Sequence, residues 1–297
     1  MLLRLAIALG VLAVAGVAWA ADPGAEGGLT VPVAIALGAL QGATEFLPVS
    51  SSGHLALGQA FFGIDPEAGG HRFSIVAHVG TLLAVVWMYR RDVLELAMVP
   101  LRPRTASPAR QTLLMMVVAT LPLGLVLAPG VEDAILAVEG SPRLVGACLL
   151  TTAAVLWIAF SRKSEAGDAL DPTPPTPVQA LMVGLAQLVA VLPGISRSGS
   201  TIAAGLGLGL SRSAAARFSF LISIPAILGA TVLELRKLLG QSTSALDPVP
   251  YAAGFVVSFV VGLACLRLLL LLVRTGRITG FVVYLALVGG AAIVWGA

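Results

Sequence analysis

The chain has 297 residues, 58% of them hydrophobic and only 11% charged, where an ordinary soluble domain carries roughly 25% charged residues. So few charges cannot cover a water-soluble globule of this size, and a net charge of +3 is too small to imply nucleic acid as a partner. The composition is that of an integral membrane protein. Continuous apolar runs at 112–128 and 251–273 exclude a membrane β-barrel, whose strands alternate apolar and polar residues.

At the N-terminus, Arg4 precedes an apolar stretch over 5–17 that ends at Ala18-Trp19-Ala20 and is followed by polar residues 21–28. A charged start, a short apolar core and a small-x-small end predict a signal peptide over 1–20, a retained first helix being the alternative. A single membrane domain is expected over 21–297. Six apolar segments read as spans: 73–89, 112–128, 143–160, 214–235, 251–273 and 280–295. Two further apolar regions are interrupted: 31–62 at Pro48-Val49-Ser50-Ser51-Ser52-Gly53, and 177–210 at Pro193-Gly194-Ile195-Ser196-Arg197-Ser198-Gly199. Proline, glycine and hydroxyl residues together break a helix.

Charge placement orients these segments. Arg90, Arg91, Arg102, Arg104 and Arg110 follow the first span, Arg162 and Lys163 the third, and Arg274 and Arg277 the fifth. Glu132, Asp133 and Glu139 follow the second. Cytoplasmic loops carry the excess of Lys and Arg, so the basic connections face the cytoplasm and the acidic one faces out. Each interrupted region must then begin and end on one side, as a re-entrant hairpin. The expected fold is an all-α polytopic bundle built as an inverted repeat, about 30–160 and 177–297, each half a hairpin plus three spans. Such architectures place their site near the midplane, where broken helices meet.

The interrupted regions also hold the candidate chemistry. Glu45 lies in an apolar half-helix, and a carboxylate at membrane depth costs about 2.5–3.5 kcal/mol on insertion scales, so it needs a cavity and a partner. Gln41 lies four residues before it, on the same helix face. Ser50, Ser51 and His54 at the same break offer hydroxyls and an imidazole, a nucleophile–base constellation, although serines there also serve as helix caps. The second break supplies Arg197, whose planar fork suits phosphate or carboxylate. Ser196, Ser198, Gly199 and Thr201 around it place backbone N–H groups at a helix N-terminus, a ready anion site. The plainer reading is that Arg197 only neutralises Glu45. His78, within the first span, either lines the cavity or bonds a neighbouring helix. Cys148 and Cys265 fall in apolar runs and read as buried thiols. The histidines lack zinc-helix spacing.

The runs Gln41-Gly42-Ala43-Thr44-Glu45-Phe46-Leu47-Pro48-Val49-Ser50-Ser51-Ser52-Gly53-His54 and Pro193-Gly194-Ile195-Ser196-Arg197-Ser198-Gly199-Ser200-Thr201 resemble the undecaprenyl-diphosphatase, or bacitracin-resistance, family. The stretch 212–225 is similar as well. The resemblance implies hydrolysis of undecaprenyl diphosphate to the monophosphate and inorganic phosphate, in the bacterial inner membrane, with the site toward the periplasm. It implies a divalent cation, Mg²⁺ or Ca²⁺, with Glu45 and then Gln41 as candidate ligands. Ser50 or Ser51 would attack or bind phosphate, His54 would act as base or acid, and Arg197 would clamp the diphosphate. Whether serine or water attacks stays open at this level. The partners expected are the polyprenyl diphosphate and the bilayer, and a homodimer is one candidate assembly. The rival class is a lipid-phosphate transporter using the same anion site, which would need neither nucleophile nor base.

Overall fold

The computed structural model describes residues 29–64, 70–101, 107–161, 173–238 and 247–296. The signal peptide expected over 1–20 lies outside them. In chain order the helices are α1 (Val31–Phe46), α2 (Ser51–Phe61), α3 (His71–Met88), α4 (Arg90–Met98), α5 (Pro108–Thr120), α6 (Val131–Glu139) and α7 (Pro142–Ser161). The second half holds α8 (Pro177–Val189), α9 (Arg197–Gly207), α10 (Arg212–Leu238), α11 (Pro248–Thr275) and α12 (Thr279–Trp295). No strand occurs among the described residues. Helix starts follow local chemistry: Ser107, Thr176 and Asp247 cap α5, α8 and α11, each with proline in the first turn, where a missing N–H costs nothing.

Five segments are long and apolar enough to cross a membrane: α3, α5 with its extension to Leu127, α7, α10 and α11. The chain is a multi-pass membrane protein. Its outer faces agree, since Trp157, Leu287 and Val294 expose more than half their surface, as suits a lipid solvent and not water.

Several expected elements differ in detail. The span at 112–128 is not one α-helix: Pro122 cannot donate to the ladder, and the backbone tightens into a 3₁₀ stretch over Leu121–Leu127. The last expected span forms as the apolar helix α12, whose 17 residues, about 25 Å at 1.5 Å per residue, leave it shorter than the five above. Two connections hold helices that charge alone did not reveal, α4 and α6. An ion pair in which Arg217 Nε and Nη2 both donate to Asp92 Oδ1 fastens α4 to α10.

The halves interlock. The second-half helix α11 lies along α1 and α3, while the first-half helix α5 lies against α8 and α10. α7 packs on α12, and α3 on α10. Each pairing is answered by its counterpart, as an internal two-fold requires. Small residues permit the close approach, as is usual between membrane helices: a Cβ on Gly38 would stand 2.6 Å from the Gly254 carbonyl oxygen, and one on Gly146 2.6 Å from that of Gly289.

Gly38→Val therefore forces α1 off α11, and overpacking of this kind costs about 1–3 kcal/mol. The expected result is a lower thermal midpoint in detergent. Gly290→Ala, where an added Cβ meets nothing within 4 Å, is expected to leave the midpoint unchanged or raise it.

Candidate active site

The first break begins where Pro48 holds Leu47 in extended backbone (ψ 142°). It ends at Ser50, the N-cap of α2. Ser50 is the single non-glycine residue with positive φ (69°) among the described residues, a conformation that costs about 1–3 kcal/mol and persists only where surroundings fix it. Here they do: Ser50 Oγ accepts from the Gly194 N–H at 3.1 Å, and its carbonyl accepts from the His54 N–H at 3.1 Å. The second break runs from Ala190 to Ser196, the N-cap of α9, whose Oγ accepts from the Gly199 N–H at 3.1 Å. Both breaks are narrower than the sequence implied. Ser51–Gly53 and Arg197–Gly199 already belong to the first turns of α2 and α9.

These turns meet. A Cβ on Gly53 would lie 3.0 Å from Gly194 Cα, and one on Gly199 3.3 Å from Pro48 Cβ. Gly194, at φ 97°, faces α7 so closely that a Cβ would stand 2.5 Å from the Val145 carbonyl oxygen, so only glycine suits it. From α7, the Thr152 hydroxyl donates to the Gly194 carbonyl at 2.9 Å and accepts from the Ser196 N–H at 3.0 Å.

Glu45 sits at the junction with 4% of its side chain exposed. Its Oε1 accepts from Arg197 Nη2 across the two breaks. Its Oε2 accepts from Ser51 Oγ at 2.5 Å and from Gln41 Nε2 at 3.0 Å, with His78 Nε2 3.7 Å away. A buried carboxylate is tolerable only when paired and hydrogen-bonded in this way. Two groups of the cluster stay open: Gln41 Oε1 and Arg197 Nη1 are buried without hydrogen-bond partners.

Gln41, Glu45, Ser51 and Arg197 thus converge, and His78 joins them. The remaining residues serve the frame. Ser50 and Ser196 cap, Ser198 Oγ lies 3.3 Å from Ser196 Oγ, and Thr201 donates to the Arg197 carbonyl at 2.7 Å and shares a 2.5 Å bond with Ser219. His54 is turned elsewhere: Nδ1 lies 2.8 Å from the Ser50 carbonyl oxygen, and Nε2 2.8 Å from the Tyr284 hydroxyl. Sequence reasoning missed Thr152, Tyr284 and Gln187, which is buried with both amide atoms unpartnered. The shared spacing Gly38-x-x-Gln41 and Gly184-x-x-Gln187 would have revealed the last. Beside the second break opens an apolar groove of about 440 Å³, with Ile195 at the break, Ser200 in the first turns of α9, and Val155, Ile158, Ala204 and Leu206 among its walls.

A membrane bundle with a buried carboxylate–guanidinium pair between two apposed helix breaks is the class that this geometry defines. Comparison with known proteins is consistent with it: residues 34–291 match the model of the bacitracin resistance protein BacA family. The chain is 42% identical over 277 residues to an undecaprenyl-diphosphatase of Desulfatibacillum aliphaticivorans, covering 88% of this chain and 96% of the relative. It is 39% identical to the same-named protein of Rubrobacter xylanophilus, covering 84% and 93%, and 39% identical to that of Korarchaeum cryptofilum, covering 89% and 99%. The chain belongs to the BacA family.

Removing one member of a buried ion pair leaves the other uncompensated, at a cost of about 3–5 kcal/mol. Arg197→Ala is expected to lower the thermal midpoint in detergent strongly, and adding Glu45→Gln to recover most of that loss. Equal midpoints for Arg197→Ala and wild type would show that the pair carries no stability.

Proposed function

We propose that this protein hydrolyses undecaprenyl diphosphate to undecaprenyl phosphate and inorganic phosphate, and that Ser51 is the nucleophile. One observation carries the reading: the Ser51 hydroxyl donates at 2.5 Å to a carboxylate, Glu45, that Arg197 holds in place. An adjacent, oriented base is what activates a serine. The names of the relatives support the substrate, and the apolar groove beside the second break offers a surface suited to a prenyl chain.

As Ser51 Oγ bonds to the terminal phosphorus, its proton passes to Glu45 Oε2. The bond from phosphorus to the bridging oxygen breaks, and the lipid monophosphate leaves. Water then attacks the phosphoserine, the bond from phosphorus to Ser51 Oγ breaks, phosphate leaves with both water hydrogens, and Glu45 returns its proton to Ser51 Oγ. Arg197 Nη1, buried without a hydrogen-bond partner, and those first-turn N–H groups of α2 and α9 that the caps Ser50 and Ser196 do not take would meet charge that develops on the equatorial oxygens. A carrier would bind phosphate with the same arginine but has no use for a serine on a carboxylate.

The donor set also fits a divalent cation held jointly with substrate. No group of three or more His, Cys, Asp or Glu stands together among the described residues. Mg²⁺ commonly takes one or two protein oxygens plus substrate phosphates, and Glu45 with the unpartnered Gln41 Oε1 matches that. Bound there, the cation would offset diphosphate charge. The basic connections support an orientation with both mature termini outside, and the family resemblance supports the bacterial inner membrane with the site toward the periplasm.

The test is phosphate release from undecaprenyl diphosphate by detergent-purified protein, with Mg²⁺ and with chelator. Release that chelator abolishes is expected, with Arg197→Ala slower by about 10²–10³-fold and Ser51→Ala by about 10³-fold or more. A Ser51→Ala enzyme retaining most of its turnover would make water the nucleophile. No release from folded wild type would move the reading to the carrier, to be assayed in liposomes.

A further inference from the structure

His54 lies one turn into α2 and is 6% exposed. The Ser50 carbonyl can only accept, so the 2.8 Å contact places a hydrogen on Nδ1. The neutral ring then has one lone pair, on Nε2, and the Tyr284 hydroxyl donates to it at 2.8 Å. The two rings also stack, with centroids 5.6 Å apart and planes inclined by 14°. Every polar atom of the imidazole is therefore engaged, and its lone pair points to α12 instead of to Ser51.

The wiring forms a strut between the halves of the molecule. Tyr284 stands on α12 of the second half, and His54 and Ser50 on the first. Through the Ser50 carbonyl the strut reaches the strained residue at the head of α2, directly before Ser51. Glu45 already takes the Ser51 proton, so His54 is not required as its base.

We propose that Tyr284 is a positioning residue of the active site: acting through His54, its hydroxyl holds the head of α2, and with it Ser51, against the Glu45–Arg197 pair. The proposal rests on the reading of Ser51 as nucleophile. It assigns a role to a second-half residue about 230 positions away in the chain.

Tyr284→Phe keeps the stacked ring and removes only the hydroxyl. In the full-length protein in detergent, the freed Nε2 is expected to react several-fold faster with diethyl pyrocarbonate, read at the His54 peptide by mass spectrometry. With undecaprenyl diphosphate, kcat is expected to fall about 10²-fold, the scale of a slight misplacement of reacting groups, with KM within about twofold. In a Tyr284→Phe/His54→Gln double variant the losses are expected not to add, as for groups acting through one contact.

Unchanged labelling of His54 overturns the proposal without recourse to substrate. Faster labelling with unchanged kcat also overturns it, since the contact is then idle, and so do fully additive losses. Wild-type protein that releases no phosphate, yet whose Tyr284→Phe variant shows the labelling rise, overturns the reading of function and leaves the Tyr284–His54 contact standing.

Discussion

The bond between Glu45 and Arg197 is the constraint on which the rest depends. Each residue alone would be costly at membrane depth, and each lies in a different half of the chain, at a break in a different hairpin. Neutralising one with the other requires both breaks to reach the same place. Once they do, Ser51 and the N-terminal turns of α2 and α9 arrive with them, because each is fixed to its break by only a residue or two. A pair of this kind is weak evidence for stability, since apolar replacements often serve as well. Its presence here makes sense as geometry: it holds the two breaks together, and in the proposed reaction it supplies base and clamp.

Breaking two helices in an apolar interior frees backbone groups that no lipid can satisfy. The molecule answers with hydroxyls. Ser50 receives the Gly194 N–H, Thr152 bridges the Gly194 carbonyl and the Ser196 N–H, and Ser196 receives the Gly199 N–H. Most of the serine and threonine at the breaks is therefore engaged with backbone groups. Ser51 is distinct among them because its partner is a carboxylate and not the backbone.

Much of this was legible in the chain. Continuous apolar runs gave the spans, and proline with glycine gave the breaks. The insertion cost of Glu45 and Arg197 named the pair before any coordinates. What escaped depended on partners distant in sequence. Thr152 and Tyr284 look like ordinary polar residues of a span until α7 meets the second break and α12 meets α2. The nearness of Ser51 and His54 in sequence reads as nucleophile and base, yet a bond from Nδ1 to the carbonyl four residues back turns the ring toward α12. Charge density concealed α4, whose position depends on Arg217 of α10, and Pro122 shortened a run that looks uniformly helical.

The two halves share a frame and differ in what they hang on it. Gly38 and Gln41 correspond to Gly184 and Gln187, the cap Ser50 to the cap Ser196, and the following residue is Ser51 in one half and Arg197 in the other. Where the first half places Glu45 four residues after its glutamine, the second places Val191. A strictly symmetric molecule would bring two glutamates together with no cation between them, or two arginines with no anion, and like charges at such depth repel. Divergence at two positions removes that conflict: the acid is kept on one side and the cation supplied on the other. It also leaves one asymmetric cluster in place of two, with Glu45 and Ser51 from the first half and Arg197 from the second. Gln187, buried with neither amide atom hydrogen-bonded, is left without the carboxylate that Gln41 finds in Glu45.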